Sequence, residues 1–131
     1  MIVFKYKEES ATKGKIKRPV ADVFIRNNSG WIEFHPYIDS GADVTLIPLS
    51  LGKLIGLSVD EKKIEHIGGL SGNVPVIYFK HEIKIGGIKF FSQIAWALIE
   101  EVPPLLGRTD IFDKFNVQFK QKQGLIIFNK S

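Results

Sequence analysis

Residues 74–99 alternate apolar and polar side chains on either side of a glycine pair, and this pattern commits the chain to a β fold. Ile77, Phe79, His81, Ile83 and Ile85 share one side of a strand, and Tyr78, Lys80, Glu82 and Lys84 the other. Gly86-Gly87 then turns the chain into a second long strand, Ile88 to Ile99. Two strands of this length joined by a glycine turn form a hairpin with a face that must be buried.

The rest of the chain is read around that hairpin. Met1 to Lys7 and Val20 to Arg26 are expected strands, with the basic cluster Lys13-Gly14-Lys15-Ile16-Lys17-Arg18 as a solvated loop between them. Asn27-Asn28-Ser29-Gly30 is a turn signal, so 20–26 and 31–38 should pair. Ile32, Phe34 and Ile38 share one face of the second strand; Trp31, Glu33, His35 and Tyr37 share the other, and Asp39 continues that series. His35-Pro36 suggests an edge or a bulge. Pro48 to Gly56 is predicted helical, with Leu51, Leu54 and Ile55 on one face, and Gly56 past its end. A strand over 59–67 leads into the glycine-rich tip 68–73. Thr109 is placed to cap a helix over 110–115, and Val117 to Lys120 should pair with Leu125 to Phe128.

Composition excludes several classes. At 44% hydrophobic and 24% charged residues, 131 residues make one globular domain, 1–131, too short for two independent lobes. No apolar run approaches the roughly 18 residues of a membrane helix, and the first residues lack a signal peptide's apolar core, so no membrane is expected and a cytoplasmic address is the default. The absence of cysteine removes disulfides, thiolate metal sites and thiol nucleophiles. His35, His66 and His81 lack the spacing of a zinc site, and the serines lack a Gly-x-Ser-x-Gly elbow. The basic cluster has no interleaved aromatic residues, so nucleic acid is not an expected partner. Trp31 and Trp96 lie in strand patterns and are expected in a core or an interface.

Against this background Asp39-Ser40-Gly41-Ala42-Asp43 stands out as a carboxylate on a tight glycine turn between strands. It occurs once. Ile67-Gly68-Gly69-Leu70-Ser71-Gly72 and Leu105-Leu106-Gly107-Arg108 follow it in order. Together the three segments resemble the retropepsin family, the single-domain aspartic peptidases of retroviral type. The resemblance covers residues 20 to 119, and the Asp-Ser-Gly tripeptide alone would be only an ordinary turn.

The resemblance implies an all-β fold, mainly strands with two short helices, in the closed barrel-like acid protease form with a single lobe. It implies an aspartic endopeptidase acting on peptide or protein substrates as a homodimer, with Asp39 of each subunit in a catalytic dyad beside Ser40 and Gly41. Residues 67–72 would be the flap, with Gly68, Gly69 and Leu70 over substrate. Ala42, Asp43, Leu46 and Leu105 would complete the substrate site, and Pro103 to Leu105 would form a wall. Asp43 and Arg108, with Gly107, would brace the active-site loop through a buried or half-buried bidentate ion pair. Ala42 implies a milder working pH than in two-lobed pepsin-like relatives, where a hydroxyl at that place can donate to the carboxylate. No metal or nucleotide cofactor is implied. The alternative is a catalytically inactive, dimeric peptide-binding module of the same fold. Two departures stand out: Arg108 is followed by Thr109-Asp110, where many members place Asp or Asn directly, and Lys120 to Gly124 adds a polar hairpin.

Overall fold

The computed structural model describes residues 1–68 and 72–131. Its strands, in chain order, are β1 (Ile2–Lys5), β2 (Lys7–Ala11), β3 (Gly14–Arg18), β4 (Val23–Asn27), β5 (Gly30–Phe34), β6 (Tyr37–Ile38), β7 (Thr45–Ile47), β8 (Glu65–Ile67), β9 (Val74–Ile85), β10 (Ile88–Ala97), β11 (Leu105–Leu106), β12 (Phe115–Lys120) and β13 (Leu125–Lys130). One α-helix, α1 (Leu49–Leu54), and 3-10 turns at Glu61–Lys63 and Gln121–Gln123 complete the described elements.

The glycine pair sets the central hairpin. Gly86 and Gly87 have φ of 56° and 83°, a left-handed pair that matches the twist of the flanking strands. β9 and β10 therefore pair without a slip from Ile85↔Ile88 to Val76↔Ala97. The main sheet runs β5-β4-β9-β10-β7-β11-β6, with β8 on β9. Ile83, Ile85, Ile94 and Trp96 are buried from the hairpin, and Val23 and Ile25 from β4 pack with them. On the other face Lys84 Nζ lies 4.7 Å from the Trp31 ring centroid and 5.0 Å from that of Phe24, so the half-buried Trp31 is covered by a cation.

A second sheet, β1-β13-β12, is built from both ends of the chain. Edge-to-face contacts run Phe4–Phe128 (5.3 Å), Phe128–Phe115 (5.5 Å) and Phe115–Phe90 (5.8 Å), which joins this sheet to β10 and makes one core.

The helix shows how tightly that core is packed. Pro48 precedes α1 and Gly56, with φ 91°, follows it, in agreement with the sequence pattern. Leu51 and Ile55 are buried, but Leu54, expected on the same face, is 64% exposed; a six-residue helix reaches the core with little more than one turn. Gly52 lies against Trp96, and a Cβ there would fall 2.0 Å from the indole Nε1, which donates to Leu49 O at 3.1 Å. Gly52→Ala is expected to displace the indole, break that bond and cost about 2 kcal/mol. Thermal unfolding followed by tryptophan fluorescence measures the loss.

Other expectations are corrected. Residues 13–18 are not a loop: Gly14–Arg18 is a strand paired with Lys7–Ala11 in a separate two-stranded sheet. The expected strand over 20–26 begins only at Val23, after an isolated bridge between Val20 and Tyr37, and that over 59–67 is confined to Glu65–Ile67. Residues 110–115 are not a helix. Asp110 has φ 67°, which interrupts helical winding, and the segment closes as turns through Phe112 N–H to Arg108 O and Phe115 N–H to Ile111 O. His35-Pro36 does break the strand between β5 and β6.

Candidate active site

The Asp39 loop is made by one short strand placed between two others. β11 pairs in parallel with β6 (Leu105↔Tyr37, Leu106↔Ile38) and antiparallel with β7 (Leu105↔Leu46). Residues 39–44 must therefore cross the end of β11 to pass from β6 to β7. Asp39 N–H donates to Leu106 O at 3.0 Å, and Ala42 N–H to Asp39 O at 3.2 Å closes the turn.

Gly41 is favoured by close approach to the carboxylate rather than by a positive φ. Its N–H donates to Asp39 Oδ1 at 2.9 Å, and a Cβ on it would sit 3.1 Å from that oxygen. The carboxylate is thus fixed by its own loop and is half-buried. Ser40 is exposed; its carbonyl accepts from Arg108 Nη1 at 2.7 Å.

Residues 107–109 brace the loop from below. Arg108 N–H donates to Ala42 O and Thr109 N–H to Asp43 O, both at 2.9 Å, while Arg108 Nη2 pairs with the Asp43 carboxylate. The ion pair expected from the sequence is present, but it is neither buried nor bidentate. Asp43 is 83% and Arg108 47% exposed, and the second guanidinium arm holds Ser40 instead. An exposed pair adds little by itself, so the two backbone bonds carry most of the bracing. Gly107 N–H donates to the buried Thr45 Oγ1 at 3.1 Å, and its Cα faces the Val44 carbonyl so closely that a Cβ would lie 2.5 Å from that carbon.

Two cavities flank this loop, and Leu105 lines both. One, of about 300 Å³, is walled by Gly41, Ala42, Asp43, Leu46, Gly68 and Leu105, together with Tyr78 and Ala95. Five expected substrate-site residues thus meet in one hollow, and Ile67 of β8 lines it as well. Gly69 and Leu70 lie outside the described residues. Tyr78 and Ala95, paired across the central hairpin, were missed because an apolar position on a long strand carries no mark of a cavity.

The second cavity, of about 410 Å³, contains Asp39, Ile38, Tyr37, Pro19, Pro103 and Leu105, with Glu9 and Arg18 from the β2–β3 hairpin. Pro103 and Leu105 were legible as a wall; Glu9 and Arg18 were not. Tyr37 Oη donates to Glu9 Oε2 at 2.5 Å, and Arg18 Nε donates to Glu9 Oε1 at 3.0 Å. The tyrosine bond, more than Lys7 or Arg18, holds the Glu9 carboxyl below its ordinary range, and the same bond raises the Tyr37 hydroxyl. A depressed carboxyl stabilises the fold above its unfolded value of 4.5, and that contribution is lost as pH falls through the lower folded value. The stability gap between the parent and Glu9→Gln is therefore expected to narrow as pH drops below 4.5, as read by urea midpoints across pH.

Elsewhere, Asp22, Glu33 and His35 bring ligand-type atoms within 4.8 Å of one another, all exposed and outside both cavities. His35 Nδ1 is 2.9 Å from Asp22 Oδ1, an ordinary surface contact.

No protein-family profile matches the chain, and no curated protein matches it by sequence. Solved structures do match. A retropepsin-like aspartic protease from Rickettsia conorii superposes with a TM-score of 0.66 over 95% of each chain, at 15% identity. The EIAV protease complexed with the inhibitor HBY-793 superposes with a TM-score of 0.55 at 26% identity, covering 70% of this chain and 83% of that one. The chain has the retropepsin-like fold.

In this retropepsin-like chain the Thr109-Asp110 departure has a physical account. Thr109 gives its N–H to Asp43, and the left-handed Asp110 turns its carboxylate to accept from Gln93 N–H at 2.8 Å. The acid that would have begun a helix ties the bracing segment to β10 instead. The Lys120 to Gly124 departure is the tight end of the β12–β13 hairpin, closed by Gly124 at φ 73°.

Proposed function

We propose that the chain is an aspartic endopeptidase that works as a homodimer, with Asp39 of each copy forming the dyad. The observation that carries this reading is the Asp39 carboxylate, fixed by the Gly41 N–H between two cavities on a braced loop. One chain supplies one such carboxylate on an Asp-Ser-Gly turn, and the chemistry needs two that share a proton. In the assembled site one carboxylate takes a proton from a bound water as it attacks the peptide carbon. The other gives its proton to the carbonyl oxygen, and the roles reverse as the amine leaves. Substrate would lie extended between the copies, pairing by backbone and filling apolar hollows such as the one walled by Ala42, Leu46 and Leu105. The paired ends of β8 and β9 would close over it and exclude water.

A peptide-library cleavage assay across pH 3–8, roughly the range open to a carboxylate dyad, tests the reading. Cleavage stopped by a statine-type inhibitor, with sedimentation shifting toward dimer on adding it, is expected. Peptide binding without cleavage at any pH would favour the inactive binding module.

A further inference from the structure

We propose that the free edge of β3 and the 3-10 turn at Gln121–Gln123 form a groove that takes an acidic, extended segment of another polypeptide as an added strand. The inference goes beyond the peptidase reading and uses none of its residues. The groove, of about 580 Å³, is walled by Lys15, Ile16 and Lys17 on one side and by Gln121 and Lys122 on the other. The two walls are tied where Tyr6 N–H, just before β2, donates to Gly124 O at 2.9 Å. The groove shares no lining residue with either cavity at the Asp39 loop.

The hairpin register says what this edge offers. β2 and β3 form a sheet of two strands, so among the described residues β3 is paired on one side only. The turn at Thr12-Lys13 makes Ala11↔Gly14 the hydrogen-bonded pair nearest to it. Bonded pairs alternate, so Glu9↔Ile16 is the next, and Lys15 and Lys17 aim their N–H and C=O groups away from β2. All five residues of β3 are exposed. Two residues at i and i+2 with outward donors and acceptors are what an extended peptide pairs with when it adds to a sheet.

The side chains select the strand that fits. Lys15 and Lys17 leave one face of β3, and Ile16, 40% exposed, leaves the other. A strand added here meets both lysines with residues two apart and Ile16 with the residue between them, so it should read acidic, apolar, acidic. Lys122 adds a cation from the opposite wall. Among the described residues Lys17 and Lys122 form no ion pair, and Lys15 reaches only Glu8, at 3.8 Å and in solvent. Lysines on a free edge repel a second β3 and so prevent copies from pairing edge to edge. The same charges favour an acidic strand. Residues 7–18 carry five cations against two carboxylates, a field that draws such a segment in.

The probes are a labelled peptide in which Glu and Val alternate, a scramble of it with the Glu residues in one block, and the alternating peptide with its backbone nitrogens methylated. A single-stranded oligonucleotide of equal charge is the fourth. Binding to the Asp39→Asn chain is measured by fluorescence anisotropy, so no readout depends on cleavage. The alternating peptide should bind about tenfold more tightly than the other three, and added salt should weaken it. Replacing both Lys15 and Lys17 by Gln should cost about tenfold, and Lys122→Gln, on the separate wall, a smaller factor. Hydrogen exchange of the Lys15 and Lys17 amides, already slow or not at Ile16 within the hairpin, should slow at 15 and 17 when the peptide is added. No binding of the alternating peptide, equal binding of the scramble, the methylated peptide or the oligonucleotide, or binding unchanged in the double Lys→Gln variant would overturn the added strand.

Discussion

Asp39→Asn is expected to melt within a few degrees of the parent and to cleave peptides at least about 10²–10⁴-fold more slowly, the usual span for removing an acid–base group. The two halves of this result have separate causes. Asparagine keeps an oxygen where Asp39 Oδ1 accepts the Gly41 N–H at 2.9 Å, so the loop retains its closing bond. The backbone bonds to Leu106 and from Ala42 do not involve the side chain at all. An amide, however, can neither take a proton from water nor share one with a facing carboxylate. Thermal melts and initial rates on one cleavable peptide measure the two halves. Cleavage that survived the substitution would remove the aspartic mechanism.

Gly107→Ala should cost about 3 kcal/mol, at the upper end for an overpacked site, and lower the melting temperature by roughly 10 °C. A Cβ at 107 would meet Val44 C at 2.5 Å, Val44 O at 2.6 Å and Thr45 N at 2.9 Å. These are backbone atoms of the strand entry that follows the Asp39 loop, so no rotamer change relieves the overlap. Residues 107–109 would have to move away, taking with them the bonds to Thr45, Ala42 and Asp43. Activity should therefore fall further than the stability loss alone explains at temperatures where the variant is folded. Paired unfolding curves and rates below the melting transition check this.

How legible this molecule was in its sequence depended on what each segment buries. The central hairpin could be read because Ile83 and Ile85 alternate with polar residues and Gly86-Gly87 marks the turn. The Asp39 loop could be read because Asp39-Ser40-Gly41-Ala42-Asp43, with 67–72 and Leu105-Leu106-Gly107-Arg108 after it, resembles the retropepsin family. The β2–β3 hairpin could not. All five residues of Gly14–Arg18 are exposed, so no apolar face marks the strand, and it is held by backbone pairing and by Glu9. The Glu9–Tyr37 contact spans 28 positions and leaves no local trace. The helix expected at 110–115 failed for a tertiary reason: the Thr109 N–H and the Asp110 carboxylate, read as capping groups, are used by Asp43 and Gln93. Leu54 shows a similar limit, since helical spacing assigns a face but not whether anything packs against it.

A mixing titration tests the shared dyad most directly. Asp39→Asn chain is added to a fixed amount of parent under conditions of subunit exchange, and the cleavage rate is followed. If each site needs Asp39 from two copies, random pairing in a C2 dimer lowers the rate to about one half at equal amounts and about one quarter at threefold excess. A rate that stays constant throughout the titration would contradict a dyad shared between two copies.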